Sequence, residues 1–273
     1  VRRFLPGADT AWGAAGLALL ALGWTLVNWR SGPFVLPSLV ETGAALLRLI
    51  ADGSAVRASG ATLLHAVGGA ALGGGIGLLL GLAGGLWRAV GAALAPSATA
   101  ILGVPPIAWI VLAFLWFGVG VTALLFTVTI ATLPIIFAAT LQGMRARDPA
   151  LVEMARVFRL PRRTRLIRII LPELAVHIAP ALSTAFAIAW KVALTAEVLG
   201  DGSGIGGGFA TARAHLDLPE AMAWIVLVVI LLLITDAALL GPLRRWISGQ
   251  TDVSAPVAAP PCAGASLLRE GER

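Results

Sequence analysis

The sequence of 273 residues contains no tyrosine, one cysteine and one lysine, and only 12% of its residues are charged. Soluble domains carry about a quarter charged residues, so this chain lacks the polar surface of a water-exposed fold. The lone cysteine, Cys262, excludes an intramolecular disulfide and a cysteine metal cluster. The lone lysine, Lys191, follows Trp190, so no Gly-Lys-Ser/Thr phosphate loop is present and no nucleotide hydrolysis of that kind is expected. No His/Asp/Glu cluster has metal-ligand spacing and no Ser/His pair falls in adjacent apolar segments, so an intramembrane enzyme finds no support and no cofactor is expected. With tyrosine absent, the interfacial aromatic role falls to tryptophan. Trp12, Trp29, Trp87, Trp224 and Trp246 all lie near the ends of apolar runs.

What is present is apolar: 58% of residues are hydrophobic. Several runs reach the roughly 20 residues that cross a bilayer. The expected fold is all-α, a polytopic membrane protein with about six spans near 11–29, 61–86, 98–117, 119–141, 174–197 and 221–243. The first run follows Arg2-Arg3 but is too long for a signal-peptide core and lacks a small-x-small cleavage site after Trp29, so it is expected to be a retained span. Between the first two spans, Leu39–Leu49 is modestly amphipathic and is expected to lie along the outer interface. Residues 1–250 form one transmembrane domain, and the Ala/Pro/Ser-rich segment 251–273 reads as a disordered tail.

Charge sets the orientation. With the N-terminus inside, Arg2, Arg3, Arg88, eight loop arginines, Arg244, Arg245, Arg269 and Arg273 share the inner side. Only Arg30, Arg48, Arg57 and Arg213 lie outside. This bias places both termini in the cytoplasm and makes the net charge of +6 a topology signal rather than a sign of nucleic-acid binding.

Between the fourth and fifth spans, residues 142–173 form a polar island carrying Arg145, Arg147, Arg156, Arg159, Arg162, Arg163, Arg165 and Arg168. Helix-forming blocks flank Leu160-Pro161. A loop of this length is more than a connector. It is expected to be a cytoplasmic docking surface, the alternative being a basic loop held by anionic lipid. In the second span, Gly69, Gly73, Gly77, Gly81 and Gly85 recur every four residues. Such a groove admits a close neighbouring helix, either within the subunit or across a homodimer seam.

The loop also carries a resemblance. Glu153-Met154-Ala155, followed sixteen residues after the glutamate by Ile169-Ile170-Leu171-Pro172, resembles the EAA motif of ABC importer permeases. Met154 replaces the usual alanine, and Arg159 stands where the motif has glycine, which points to a different turn built on Leu160-Pro161. Leu36-Pro37-Ser38, Val104-Pro105-Pro106-Ile107-Ala108, Leu115-Trp116-Phe117-Gly118, Asp148-Pro149, Ala189-Trp190 through Glu197, and Ser203-Gly204-Ile205-Gly206 extend the likeness over about residues 34–247. They are similar to the type I branch that imports sulfonates, taurine, nitrate and bicarbonate.

The resemblance implies an inner-membrane permease subunit for a small solute, an anion among the candidates. It implies a homodimer working with separate cytoplasmic ATP-binding subunits and an extracytoplasmic solute-binding protein. Glu153, Met154, Ala155, Arg159, Leu171 and Pro172 are the candidate coupling residues. Pro172 is expected to end the loop helix and start the fifth span, and Glu153 to sit near a helix start.

Trp190, Lys191 and Glu197 are candidate path residues. Lys191 has Ala187, Ile188, Leu194 and Thr195 at the helical neighbour positions, so its own helix offers no ionic partner. It either faces a pathway or snorkels toward the interface. Glu197 marks either the span's outer end or a functional position. His65 reads as a packing or interfacial residue, and Asp236 as a polar contact between helices. An ion-coupled secondary transporter is the alternative function, but it would favour span carboxylates and matching broken helices in two repeats.

Overall fold

Five glycines on one helix face, Gly69, Gly73, Gly77, Gly81 and Gly85, let a neighbouring helix approach closely. The computed structural model describes residues 6–147, 149–200, 203–235 and 237–238. Its helices run in the order α1 (Pro6–Ser31), α2 (Leu39–Ala51), α3 (Ser54–Leu86), α4 (Arg88–Gly103), α5 (Pro106–Phe117) and α6 (Val121–Arg145). There follow α7 (Pro149–Val157), α8 (Arg162–Arg165), α9 (Leu171–Leu199), α10 (Gly204–Ala214) and α11 (Leu218–Thr235).

Among the described residues, four helices are long and apolar enough to cross a membrane singly, and α4 with α5 supplies a fifth, bent crossing. This is the expected all-α polytopic architecture. The first expected span falls in α1, whose 26 residues are helical. The sixth ends its described part near Thr235, so Asp236, Trp246 and the 251–273 tail lie outside the described residues.

The α3 glycines pack against α6. A Cβ added at Gly69 would meet the Val128 side chain at 2.5 Å, and one at Gly77 would meet the Leu133 carbonyl oxygen at 2.5 Å. Gly73 faces Thr132, Gly81 faces Thr140 and Gly85 faces Met144. Of the two readings of this stripe, the structure shows packing within the subunit. Without side chains the two backbones approach closely, and Thr129 Oγ1 donates to the Gly69 carbonyl at 3.2 Å.

The expected third span, 98–117, is not one straight helix. α4 and α5 meet at 96°. Pro105 and Pro106 remove two successive N–H donors, and Val104 before them is extended at φ −85°, ψ 127°. α4 also begins earlier than the expected span, at Arg88, separated from α3 by Trp87 alone.

α2 matches the amphipathic block. Ser38 and Glu41 close a reciprocal capping box: Ser38 N donates to Glu41 Oε2 at 2.9 Å and Glu41 N donates to Ser38 Oγ at 3.2 Å. The connection before it is tied to α1 by Trp24 Nε1 donating to Pro37 O at 2.8 Å and Asn28 Nδ2 donating to Leu36 O at 2.7 Å.

Pro172 does not interrupt the chain. Leu166–Ile170 form a π-helical turn that runs into α9, giving one continuous helix over Ile167–Leu199. A wider turn accommodates the N–H that Pro172 lacks, so the loop helix merges with the fifth span instead of stopping.

Candidate functional site

The polar island between α6 and α9 folds as two short helices around a sharp turn. Phe158 N donates to Met154 O, Arg159 N to Arg156 O and Leu160 N to Ala155 O, each at 3.0 Å. This is the Schellman pattern, with Arg159 at the left-handed position, φ 47°. The expectation of a different turn is therefore corrected: Arg159 adopts the conformation in which glycine costs least. Pro161 then prevents the helix from resuming before α8.

The turn sorts the candidate coupling residues. Ala155 is buried and Met154 is exposed. Val157 and Phe158 project outward, each 71% exposed. Glu153 is exposed and lies a full turn into α7, not in its first turn. Ile169 is buried, Leu171 exposed and Pro172 half-buried. α6 and α9 then close on each other, since a Cβ at Gly143 would lie 2.8 Å from Leu174 Cδ1. The result is an apolar knob set among arginines.

At the other end of α9 stands a buried polar joint that sequence reasoning did not assemble. Glu197 is fully enclosed. Its Oε2 accepts from Thr62 Oγ1 at 2.8 Å and from Gly206 N at 3.0 Å. Its Oε1 lies 2.8 Å from His65 Nδ1. Thr62 Oγ1 also accepts from Ile205 N at 2.9 Å. One carboxylate thus ties α3, α9 and the start of α10. A buried carboxylate is tolerable only with such a full set of partners. Gly204, at φ 71°, lies against the carboxyl group, where a Cβ would clash with it.

His65 is therefore more than packing, and its partner lies 132 residues away in the chain. The nearest sequence signal was the Ser203-Gly204-Ile205-Gly206 block, whose glycines let backbone N–H groups approach Glu197.

The three candidate path residues do not converge. Trp190 is buried, its ring 6.3 Å from that of Phe186 between α3, α6 and α9. Glu197 points into the polar joint. Lys191 is exposed, on a stripe of α9 with Pro180, Thr184, Ala187 and Thr195. Thr184 and Thr195 return their hydroxyls to their own helix, to Pro180 O at 3.1 Å and Lys191 O at 2.8 Å. Among the described residues no cluster of three or more His, Cys, Asp or Glu could hold a metal.

The chain is similar in sequence to known proteins. The model of the family described as binding-protein-dependent transport system inner membrane component matches residues 54–247. A protein of Brucella abortus (strain 2308), named as an ABC transporter permease, is 28% identical over 240 residues, covering 86% of this chain and 96% of its own. One from Bacillus subtilis (strain 168), named as an aliphatic sulfonates transport permease, is 27% identical over 203 residues, 74% of each chain. Among solved structures, the inward-facing MetNI methionine ABC transporter matches at 16% identity and a TM-score of 0.49, over 68% of this chain and 93% of that one. The chain belongs to the family of binding-protein-dependent transport system inner membrane components, the multi-pass permease components of ABC importers.

Proposed function

We propose that the chain is the membrane-spanning subunit of an ATP-driven importer for a small solute, and that residues 142–173 couple it to separate cytoplasmic ATP-binding subunits. The observation that carries this reading is the helical loop with Val157 and Phe158 exposed at its turn. An apolar knob in a basic loop wastes free energy in water and gains it in a cleft of a partner. The continuous helix from Ile167 onward supports transmission of loop movement into the membrane.

Two copies of the chain, two ATP-binding subunits and an extracytoplasmic solute-binding protein make up the proposed assembly, with both termini in the cytoplasm. Exposed Lys191 supports a path along α9, because an ionisable residue on a span faces a cavity or a partner rather than lipid. The Bacillus relative named for aliphatic sulfonates supports a solute bearing an acidic oxyanion, and Lys191 is the cation on this route.

The test is co-purification and uptake. Phe158→Asp and Glu153→Lys leave the spans folded but release the ATP-binding subunit and abolish uptake in reconstituted vesicles. Wild-type uptake together with wild-type solute-stimulated ATP hydrolysis in both variants would refute the coupling role.

A further inference from the structure

Prolines on two spans leave backbone carbonyls without donors around one cavity. It measures about 130 Å³, sits at the break between α4 and α5, and is lined by Leu102, Val104, Pro106, Trp109, Ile130 and Pro134. The helical donor to Leu102 O would come from residue 106, or in a tighter turn from residue 105. Both are prolines, with no N–H to give. Val104 N turns back to Ile101 O at 3.3 Å instead. On α6, the helical donor to Ile130 O would come from residue 134, again a proline. The α6 threonine hydroxyls go elsewhere: Thr127 Oγ1 donates to Ala123 O at 2.7 Å, Thr129 Oγ1 to Gly69 O at 3.2 Å and Thr132 Oγ1 to Val128 O at 2.9 Å.

The same cavity has a donor to match. Trp109 Nε1 is enclosed and has no hydrogen-bond acceptor. In the hydrocarbon region a polar group is satisfied inside the protein or by ordered water, and proline-freed carbonyls in spans use both. The cavity is smaller than small-molecule sites of about 300–1,000 Å³. It has room for a few waters, each of which takes about 30 Å³ in the liquid. Water also fits the chemistry, since it accepts from an indole N–H and donates to carbonyls. A buried water needs two to four polar partners, and the indole with the two carbonyls supplies them.

We infer that ordered water completes the broken span: a small cluster at the α4–α5 break accepts from Trp109 Nε1 and donates to Leu102 O and Ile130 O. Ile188 of α9 lines the same cavity, three residues before the exposed Lys191. The water therefore borders the helix face that carries the chain's one lysine. The site also has a mechanical use. Bonds to water are exchanged without stranding a protein partner, so α5 can change its angle to α4 while the backbone groups at the break stay satisfied.

The test is magnetisation transfer from water to the indole N–H groups of the full chain in lipid nanodiscs, with isotope-labelled tryptophan. No ATP-binding subunit or solute is needed, so failure leaves the importer reading untouched. Trp109→Phe identifies the Trp109 signal by its loss, and unchanged thermal unfolding with the other eight tryptophan signals in place verifies folding. The expected result is a direct contact between water and Trp109 Hε1, and none at Trp190 Hε1. The Trp190 indole likewise has no acceptor, but it is enclosed among Ala66, Val128 and Phe186. Pro134→Ala restores an N–H for Ile130 O and should weaken the Trp109 contact with water. Absence of a water contact at Trp109 in the folded chain overturns the proposal. Contacts to lipid acyl protons in its place would make the cavity a greasy notch and overturn it too. A water contact that Pro134→Ala leaves unchanged refutes the role of the Ile130 carbonyl and with it the proposed cluster.

Discussion

Thr62 and Glu197, 135 residues apart in sequence, share a 2.8 Å hydrogen bond, and the same threonine oxygen receives the Ile205 N–H. The carboxylate and hydroxyl together hold the start of α10 on α3 and α9. Glu197→Ala leaves the Thr62 hydroxyl, the Gly206 N–H and the His65 ring without their partner. Each orphaned buried group costs about 1–3 kcal/mol, so a large drop in thermal stability in detergent is expected. Glu197→Gln keeps one acceptor oxygen and should fall between the two. If Glu197→Ala melts with the wild type, the joint is not structural.

The glycine stripe makes a paired prediction. A Cβ at Gly77 would meet the Leu133 carbonyl at 2.5 Å and the Phe137 N at 3.0 Å, backbone atoms that cannot swing aside, whereas Gly75 has nothing within 4 Å. Gly77→Ala should destabilise the chain by about 1–3 kcal/mol through overpacking. Gly75→Ala should be neutral or stabilising by up to about 1 kcal/mol through helix propensity. Denaturant titration of both variants checks the order, and equal effects would contradict the α3–α6 contact.

Arg159 occupies a left-handed turn at φ 47°. A residue with a Cβ loses about 1–2 kcal/mol there, so Arg159→Gly should tighten the turn. The measurement is amide exchange at Phe158, Arg159 and Leu160, which should slow by several-fold at Leu160, the donor to Ala155 O. Faster exchange in the glycine variant would mean that the arginine side chain, not the backbone geometry, holds the turn.

Lys191→Met removes the cation from the exposed α9 stripe while keeping much of its length. Uptake of an oxyanionic solute by the reconstituted complex should fall about tenfold, the effect of losing roughly 1.4 kcal/mol of attraction. Lys191→Arg should retain most of it. Equal uptake by the methionine variant at equal subunit assembly makes Lys191 a structural residue.

The spans were legible because the bilayer imposes a minimum apolar length, and no alternative structure satisfies a run such as 121–141. The glycine spacing announced a helix contact but not its partner, because spacing says nothing about which backbone fills a groove. The break at Val104 was visible as Pro105-Pro106 yet was absorbed into a straight span, since hydropathy counts residues and ignores direction. The joint at Glu197 was not legible at all. Thr62, His65 and Gly206 reach it from separate segments, and only three-dimensional closure reveals that a span-end glutamate is an interior group. The turn at Arg159 was misjudged for a different reason: preference for glycine is a cost, not a prohibition, and a Schellman pair of hydrogen bonds offsets it.

The unbroken helix from Ile167 to Leu199 has 33 residues, about 50 Å at 1.5 Å per residue. Its lower end emerges from the arginine-rich turn and its upper end carries Glu197. No flexible connector separates the two. Such a rod behaves as a lever: a tilt of a few degrees imposed at the loop end displaces the far end by several ångströms, and the buried carboxylate bonds then decide whether α10 travels with it or is left behind.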